Sequence, residues 1–432
     1  MGIMKRSKIL LVVVSSTMGY QGEVGQEVFK KVSVLFEELK EDLENAGVVT
    51  NVIMADQIIE KLKPILAGTI IVVATGGTER IIKSIARSLE KPVLLIAYPY
   101  NNSLASSMEV FSVLRDEGFP VKLIYSSLDW DILHDVRSFI NVCKAIYNIE
   151  NSKLIQIGLP SPWILTSKSS EIIKSKFGID VIKLEISDLI ESAKKIREDD
   201  AKNVANELKN KFGGIIEPKI EDLVKAAKFY LAIKNLISQY DASSITIRCF
   251  DLITYNVTAC VGVSLSNDDG IVAGCETDLD SVLTMLILHE LTKEPVWMAN
   301  VARINQKDNT VTLAHCTIAT KMLDDLKKSF LRNHFESGKS VSIQGVLKKS
   351  DITLVRLGGR NLDKMTIATG KIIKNDLNDK NLCRTQVEIK LNGDVEKLIS
   401  HALGNHQILT YGNPTQELLD FCKFKNIEPI II

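Results

Sequence analysis

The chain has 432 residues, 45% of them hydrophobic and 25% charged, which is an ordinary globular composition with room for two or three domains. Lys plus Arg and Asp plus Glu both number 53, so the formal net charge is zero. That balance excludes a global basic field for nucleic acid or an anionic membrane surface, and it excludes an acidic disordered chain.

The apolar run at 9–14 stops at Ser15, far short of the roughly 20 residues a membrane helix needs. It reads as a buried first strand, and no apolar stretch of signal-peptide length follows, so the cytoplasm is the expected location. A helical pattern over 24–43 comes next. Strands at 69–74, 92–97 and 121–125 then alternate with helices at 78–89, 103–115 and 132–147. Short apolar strands separated by helices imply a parallel sheet covered on both faces. A second such unit begins with a strand at 153–157 and the turn Gly158-Leu159-Pro160-Ser161-Pro162, with another strand at 181–184. Charged helical stretches at 187–209 and 220–238 precede a strand at 245–249 and a helix at 279–291. After about 298 the texture changes to short strands with Gly and Asn/Asp turns, at 310–313, 341–347, 352–357, 365–373 and 386–391. The expected architecture is two Rossmann-like α/β domains, 1–150 and 151–297, followed by an antiparallel barrel-like domain, 298–432.

Neither GxGxxG after the first strand nor a P-loop is present, which argues against nucleotide binding. Thr75-Gly76-Gly77-Thr78 follows a strand and reads either as an anion-facing loop or as a tight turn. The seven cysteines are odd in number and show no CxxC spacing, so free thiols are expected. Glu276, in Gly274-Cys275-Glu276-Thr277-Asp278, stands at a strand end, where α/β proteins place ligands. Asp278 and Asp280 read as first-turn charges of the following helix. His315 ends one strand, and Gly404-Asn405-His406-Gln407 enters another apolar run at 408–411. A carboxylate and two imidazoles form a cation site only if the fold brings them together.

These segments, in order, resemble the fucose isomerase and arabinose isomerase superfamily. The resemblance rests on Asn102-Ser103-Leu104-Ala105, Cys275-Glu276-Thr277-Asp278, Leu313-Ala314-His315-Cys316, His334-Phe335-Glu336-Ser337-Gly338, Thr353-Leu354-Val355-Arg356-Leu357, Cys383-Arg384-Thr385 and Gly404-Asn405-His406. It implies an aldose–ketose isomerase acting on a pentose, deoxyhexose or modified sugar through a cis-enediol, with manganese or a similar divalent ion. It further implies a homo-oligomer, trimer or hexamer, whose partner is a small sugar, with no nucleic acid and no membrane. By the same resemblance Glu276 is metal ligand and acid/base, His406 is a metal ligand and His315 a further ligand or site residue. Asn405, His315, Glu336 and Arg356 fall at substrate-binding positions. Trp163 reads as packing, and Asn102 and Ser103 as helix caps.

One position departs from the family. The second acidic ligand falls in Val296-Trp297-Met298-Ala299-Asn300, where Asn300 stands 24 positions after Glu276. An amide oxygen still ligates a cation but carries no charge and moves no proton. Either a nearby acid such as Asp278 or Glu336, or His315, substitutes, or one base works with a water, or the chain is a catalytically impaired sugar-binding or regulatory homologue.

Overall fold

Six of the seven residues of strand β1 (Lys8–Val14) are buried, as its β-branched run requires. The computed structural model describes residues 7–17 and 21–432. It divides into two compact units. In the first unit, β1, β2 (Leu43–Val49), β3 (Leu66–Val73), β4 (Val93–Ala97) and β5 (Val121–Tyr125) form one parallel sheet in the order β2-β1-β3-β4-β5. Helices α1 (Gln21–Leu35), α2 (Val52–Leu62), α3 (Glu79–Leu89), α4 (Ser103–Asp116) and α5 (Leu133–Glu150) connect the strands. The helix expected over 24–43 is shorter, and its end region gives way to β2. That strand lies at the sheet edge and is only half-buried, so it lacks the apolar run that marks β3 and β4. The Thr75-Gly76-Gly77-Thr78 segment serves as a packed turn. The Gly76 amide donates to the Asn101 carbonyl at 2.7 Å, and a Cβ on Gly76 would stand 2.9 Å from that of Asn102. Asn102 does not cap α4 with its side chain, because its backbone is left-handed (φ 57°). The Ser103 hydroxyl instead bonds the Val73 carbonyl and the Tyr98 amide.

The second unit begins with another parallel sheet, of β6 (Lys153–Ile157), β7 (Asp180–Leu184), β8 (Ser244–Ile247) and β9 (Val272–Cys275), ordered β7-β6-β8-β9. Its helices are α6 (Ser170–Phe177), α7 (Ile186–Lys194), α8 (Glu198–Lys211), α9 (Ile220–Tyr240), α10 (Cys260–Asp268) and α11 (Leu279–Thr292). The first ten residues of α11 are all buried. A helix buried all round must be covered on both sides, and α11 packs against β8 and β9 on one side and barrel strands on the other.

The same unit contains a closed antiparallel barrel. Its six strands are β10 (Trp297–Asn305), β11 (Thr310–His315), β14 (Asp351–Gly358), β15 (Lys364–Lys374), β16 (Thr385–Leu391) and β17 (His406–Tyr411). They run in the order β14-β17-β10-β11-β16-β15, and β14 pairs with β15 to close the ring, leaving no edge among the six. A ribbon of β12 (Phe330–Arg332) and β13 (Ser342–Gln344) lies in the β11–β14 connection, and α12 (Val395–Ser400) precedes β17. Trp297, Val311, Leu313, Leu354, Val387, Ile389 and Leu409 belong to its core. Strand β18 (Glu428–Ile431) adds to β15 in parallel. Between β17 and β18, helix α13 (Thr415–Phe424) packs with the first unit, where Asp420 pairs with Lys122 at 2.7 Å. No helix among the described residues is long and apolar enough to cross a membrane.

Gly274 fixes how closely α11 approaches β9. A Cβ there would stand 2.2 Å from Val282 Cγ2, inside a fully buried contact. Gly274→Ala is expected to cost about 1–3 kcal/mol by overpacking, read as a lower Tm in thermal unfolding.

Candidate active site

Glu276 leaves the C-terminal end of β9 in an uncommon backbone state. Glu276 (φ 60°) and Thr277 (φ 54°) are consecutive left-handed residues, and neither is glycine. Such conformations cost of order 1–3 kcal/mol each and persist only where the surroundings impose them. Here the Ser161 amide donates to the Glu276 carbonyl at 3.0 Å, and the Thr277 hydroxyl donates to the Ile157 carbonyl at 3.1 Å. The turn therefore aims a nearly buried carboxylate off the sheet. The Trp163 indole N–H donates to Glu276 Oε2 at 2.6 Å. Packing was the expected role for Trp163, but its ring is about half exposed and its polar edge holds the carboxylate. It stacks edge-on against Phe250, which in turn meets His334, making an aromatic wall.

The barrel presents the imidazoles. His406, the first residue of β17, lies directly opposite Asn300 of β10, and Asn300 lies opposite Ala314, the neighbour of His315, in β11. The His315 and His406 rings are 5.6 Å apart, edge to face. Ligand atoms of Glu276, His315 and His406 all lie within 4.8 Å of one another. Asn300 borders the same cavity, and its Oδ1 accepts from Asn405 Nδ2 at 3.0 Å. His334 and Glu336 border it too.

Asp278 organises this arrangement from below. As the N-cap of α11 it accepts from the Ser281 amide at 3.1 Å, yet it is fully buried, which a plain capping charge is not. Arg356, also fully buried, meets it with two nitrogens at 3.0 and 3.3 Å. His406 Nδ1 lies 2.9 Å from Asp278 Oδ2. Burial alone would raise the Asp278 carboxyl. The charge of Arg356, and then the hydrogen bond from His406, hold it far below the usual carboxylate range. Arg356 thus spends its Nη donors on Asp278, Ser281 and Thr166 inside the protein. Gly404 lies against the guanidinium, where a Cβ would stand 2.6 Å from Nη2. Asp280 belongs to a separate pair, with Lys168 at 3.3 Å, and burial pushes its carboxyl up to about 6.

Two nitrogens of this network are buried without a hydrogen-bond partner, Arg356 Nε and His406 Nε2, and only the second faces Glu276. An ionised Asp278 only accepts, so His406 Nδ1 carries the hydrogen and Nε2 presents a lone pair. Nε2 is buried without a hydrogen-bond partner, and it stands 4.0 Å from Glu276 Oε1. An unsatisfied buried nitrogen costs about 1–3 kcal/mol. A cation would satisfy it. Two ligands on one ion stand roughly 3–4.4 Å apart for bonds of about 2.0–2.2 Å, close to the observed spread. Burial, the main cause, pushes His315 well below the usual imidazole value, and its Nδ1 rests 2.7 Å from the Thr317 hydroxyl. The residues present therefore fit a divalent cation, with Asp278 orienting one ligand as carboxylates commonly do behind ligating histidines. Glu336 makes no hydrogen bond among the described residues. Burial, and then the charge of Glu276, raise its carboxyl above the usual range.

Sequence reasoning missed the links from Trp163 to Glu276 and from Asp278 to His406. The first had a signal, because Trp163 follows β6 at the same sheet end as Glu276. The second had none, since 128 positions separate the partners.

Arg356→Met removes one partner of a buried pair, and about 3–5 kcal/mol of stability is expected to be lost, measured by denaturant unfolding. Burial, then Arg384, lowers His334 to about 4. A lowered histidine contributes stability that is full above the unfolded value near 6.5 and is lost as pH falls toward 4. At pH 5 the loss is about 2 kcal/mol, so the Tm of the protein is expected to fall between pH 7 and pH 5, and less steeply in His334→Gln.

No family model matches the chain. Three relatives are similar at low identity. A protein named sulfoquinovose isomerase from Priestia aryabhattai is 22% identical over 337 residues, 76% of this chain and 75% of its own. Proteins of the same name from a Clostridium species and from Alkalicoccus urumqiensis are each 20% identical, over 69% and 76% of this chain and 68% and 76% of their own. Among solved structures, GanP, a glucose-galactose binding protein from Geobacillus stearothermophilus, overlaps 67% of this chain and 93% of its own at 12% identity, with a TM-score of 0.18, too low to carry an argument.

Proposed function

We propose that this chain is an aldose–ketose isomerase whose divalent cation, manganese by our reading, is held by Glu276, His315 and His406. The observation that carries the reading is the buried, partnerless Nε2 of His406, facing Glu276 beside His315. The relatives named sulfoquinovose isomerase support the same reaction class, and the motif order supports kinship with the fucose and arabinose isomerases. Substrate candidates are accordingly sulfoquinovose and other modified or deoxy sugars. On this reading the protein works in the cytoplasm as a homo-oligomer.

The reaction moves a proton between C1 and C2 of a sugar through a cis-enediol. A proton beside a carbonyl is weakly acidic, so catalysis needs a placed base and relief of the developing negative charge. The cation, when bound, supplies that relief as a Lewis acid. Glu276, fixed by Trp163 and the strained turn, is the base at carbon. Asn300 cannot serve as the second acid. Asp278 is committed to Arg356 and His406, which leaves Glu336 as the carboxyl group free to exchange a proton with a sugar hydroxyl. Asn300, oriented by Asn405, binds a hydroxyl. The aromatic wall of Trp163 and Phe250 shields the carbon from water and offers a face for the sugar ring.

The test is deuterium exchange in D2O with manganese-loaded protein across sulfoquinovose, glucose, fucose and arabinose. Exchange at C1 or C2 is expected with at least one sugar. Glu276→Gln is expected to abolish it, and Glu336→Gln to lower kcat by about 10²-fold with KM little changed. Absence of exchange with every sugar would overturn the reading and favour a sugar-binding protein that lost the reaction with its second acid.

A further inference from the structure

Five of the seven cysteines, at 249, 260, 275, 316 and 383, border the candidate cavity. The proposed reaction uses none of them. Free thiols packed as small apolar groups explain burial, but they do not explain how close the sulfurs of Cys249 and Cys275 stand. Cys275 ends β9, and Cys249 follows the end of β8, the strand paired with it in parallel. Their sulfurs stand 2.9 Å apart, both side chains being almost fully buried. Non-bonded heavy atoms rest at roughly 3.5–4.0 Å, and a disulfide measures about 2.05 Å. The two sulfurs therefore need to approach by only about 1 Å to bond, with little backbone movement. Both also border the cavity.

We propose that Cys249 and Cys275 form an oxidisable dithiol, a modification site at the floor of the cavity, whose oxidant is a hydroperoxide. One thiol sulfur attacks the peroxide O–O bond, giving a sulfenic acid and one water from hydrogen peroxide. The second thiol displaces the sulfenic hydroxyl, forming the S–S bond and releasing a second water. Two thiols lose two protons and two electrons in all, and one peroxide is reduced to two waters. The consequence for the site is local. Cys275 directly precedes Glu276, whose left-handed turn leaves it no slack to absorb a shift. A displacement approaching 1 Å at a catalytic carboxylate costs up to about 10²-fold in rate.

The effect on turnover rests on the proposed isomerase function; the bridge itself does not, and the two are read separately. The full-length protein is treated with hydrogen peroxide, alkylated without reductant and mapped by mass spectrometry. Chymotrypsin is required, because no Lys or Arg lies between Cys249 and Lys293, so trypsin leaves three of the cysteines on one peptide. The expected product joins the Cys249 and Cys275 peptides, is lighter by two hydrogens and disappears with dithiothreitol. Turnover is expected to fall at least about tenfold in the bridged protein, to return on reduction and to resist peroxide in Cys249→Ala. A map in which Cys249 stays alkylatable, or pairs with Cys260 instead, overturns the site. A bridge that forms while turnover stays constant, or a loss that persists in Cys249→Ala, overturns its link to Glu276.

Discussion

A carboxylate with no exposed surface, Asp278, sets the terms for everything around it. Buried charge is tolerated only when paired and hydrogen-bonded, and each of its partners comes from a different part of the second unit. Ser281 lies one turn along α11, Arg356 comes from β14 and His406 from β17. The ion pair therefore pins the sheet-covering helix to the barrel. It also decides which nitrogen of His406 carries hydrogen, and so which one faces the cavity. Gly404 belongs to the same constraint, since only a residue without a side chain lets the chain pass over the Arg356 guanidinium on its way to Asn405 and His406.

The convergence of Glu276 with the two histidines follows from topology. A parallel sheet gathers its strand ends on one side, so Glu276 after β9 and Trp163 after β6 emerge together. A closed antiparallel barrel places cross-strand neighbours side by side, so His406, Asn300 and the β11 pair Ala314-His315 form a row. Helix α11 starts just after Glu276 and packs on the barrel, which brings the first set to the second. The strain at Glu276 and Thr277 is the local cost of turning the carboxylate toward that row, and it is borne by bonds to Ser161 and Ile157.

The fold was legible in the sequence wherever burial was two-sided. Runs such as those of β3 and β4 show themselves because both faces are apolar. Strand β2 did not, because an edge strand needs only part of its surface buried. Four of the six barrel strands were visible as short strands between turns, but β10 was not, and the closure was not, since the pairing of β14 with β17 joins segments about 55 positions apart. Glu276, His315 and His406 could be named from residue type and motif order, and the fold supplies the proximity that spacing could not. The capping role of Asp278 was legible, but its burial against Arg356 was not. A charged residue is ordinarily exposed, and nothing local in the chain marks the pair as buried together.

The neutral overall charge concealed a strongly uneven local one. Glu276, Asp278 and Glu336 stand at the site, and the buried Arg356 beside them is already matched by Asp278. An acid at position 300 would add a third unpaired carboxylate to Glu276 and Glu336. Like charges in a space this small raise one another's proton affinity, as Glu276 already does to Glu336. A carboxylate at 300 would push Glu336 further toward the protonated form and compete with it for any bound cation. With Asn300 neutral, Glu276 and two neutral imidazoles leave a divalent ion one positive charge uncompensated. Such an ion is held less tightly but polarises bound oxygens more strongly. On the proposed reading Asn300 and Glu336 would act together, the carboxyl group that handles protons standing outside the ligand set.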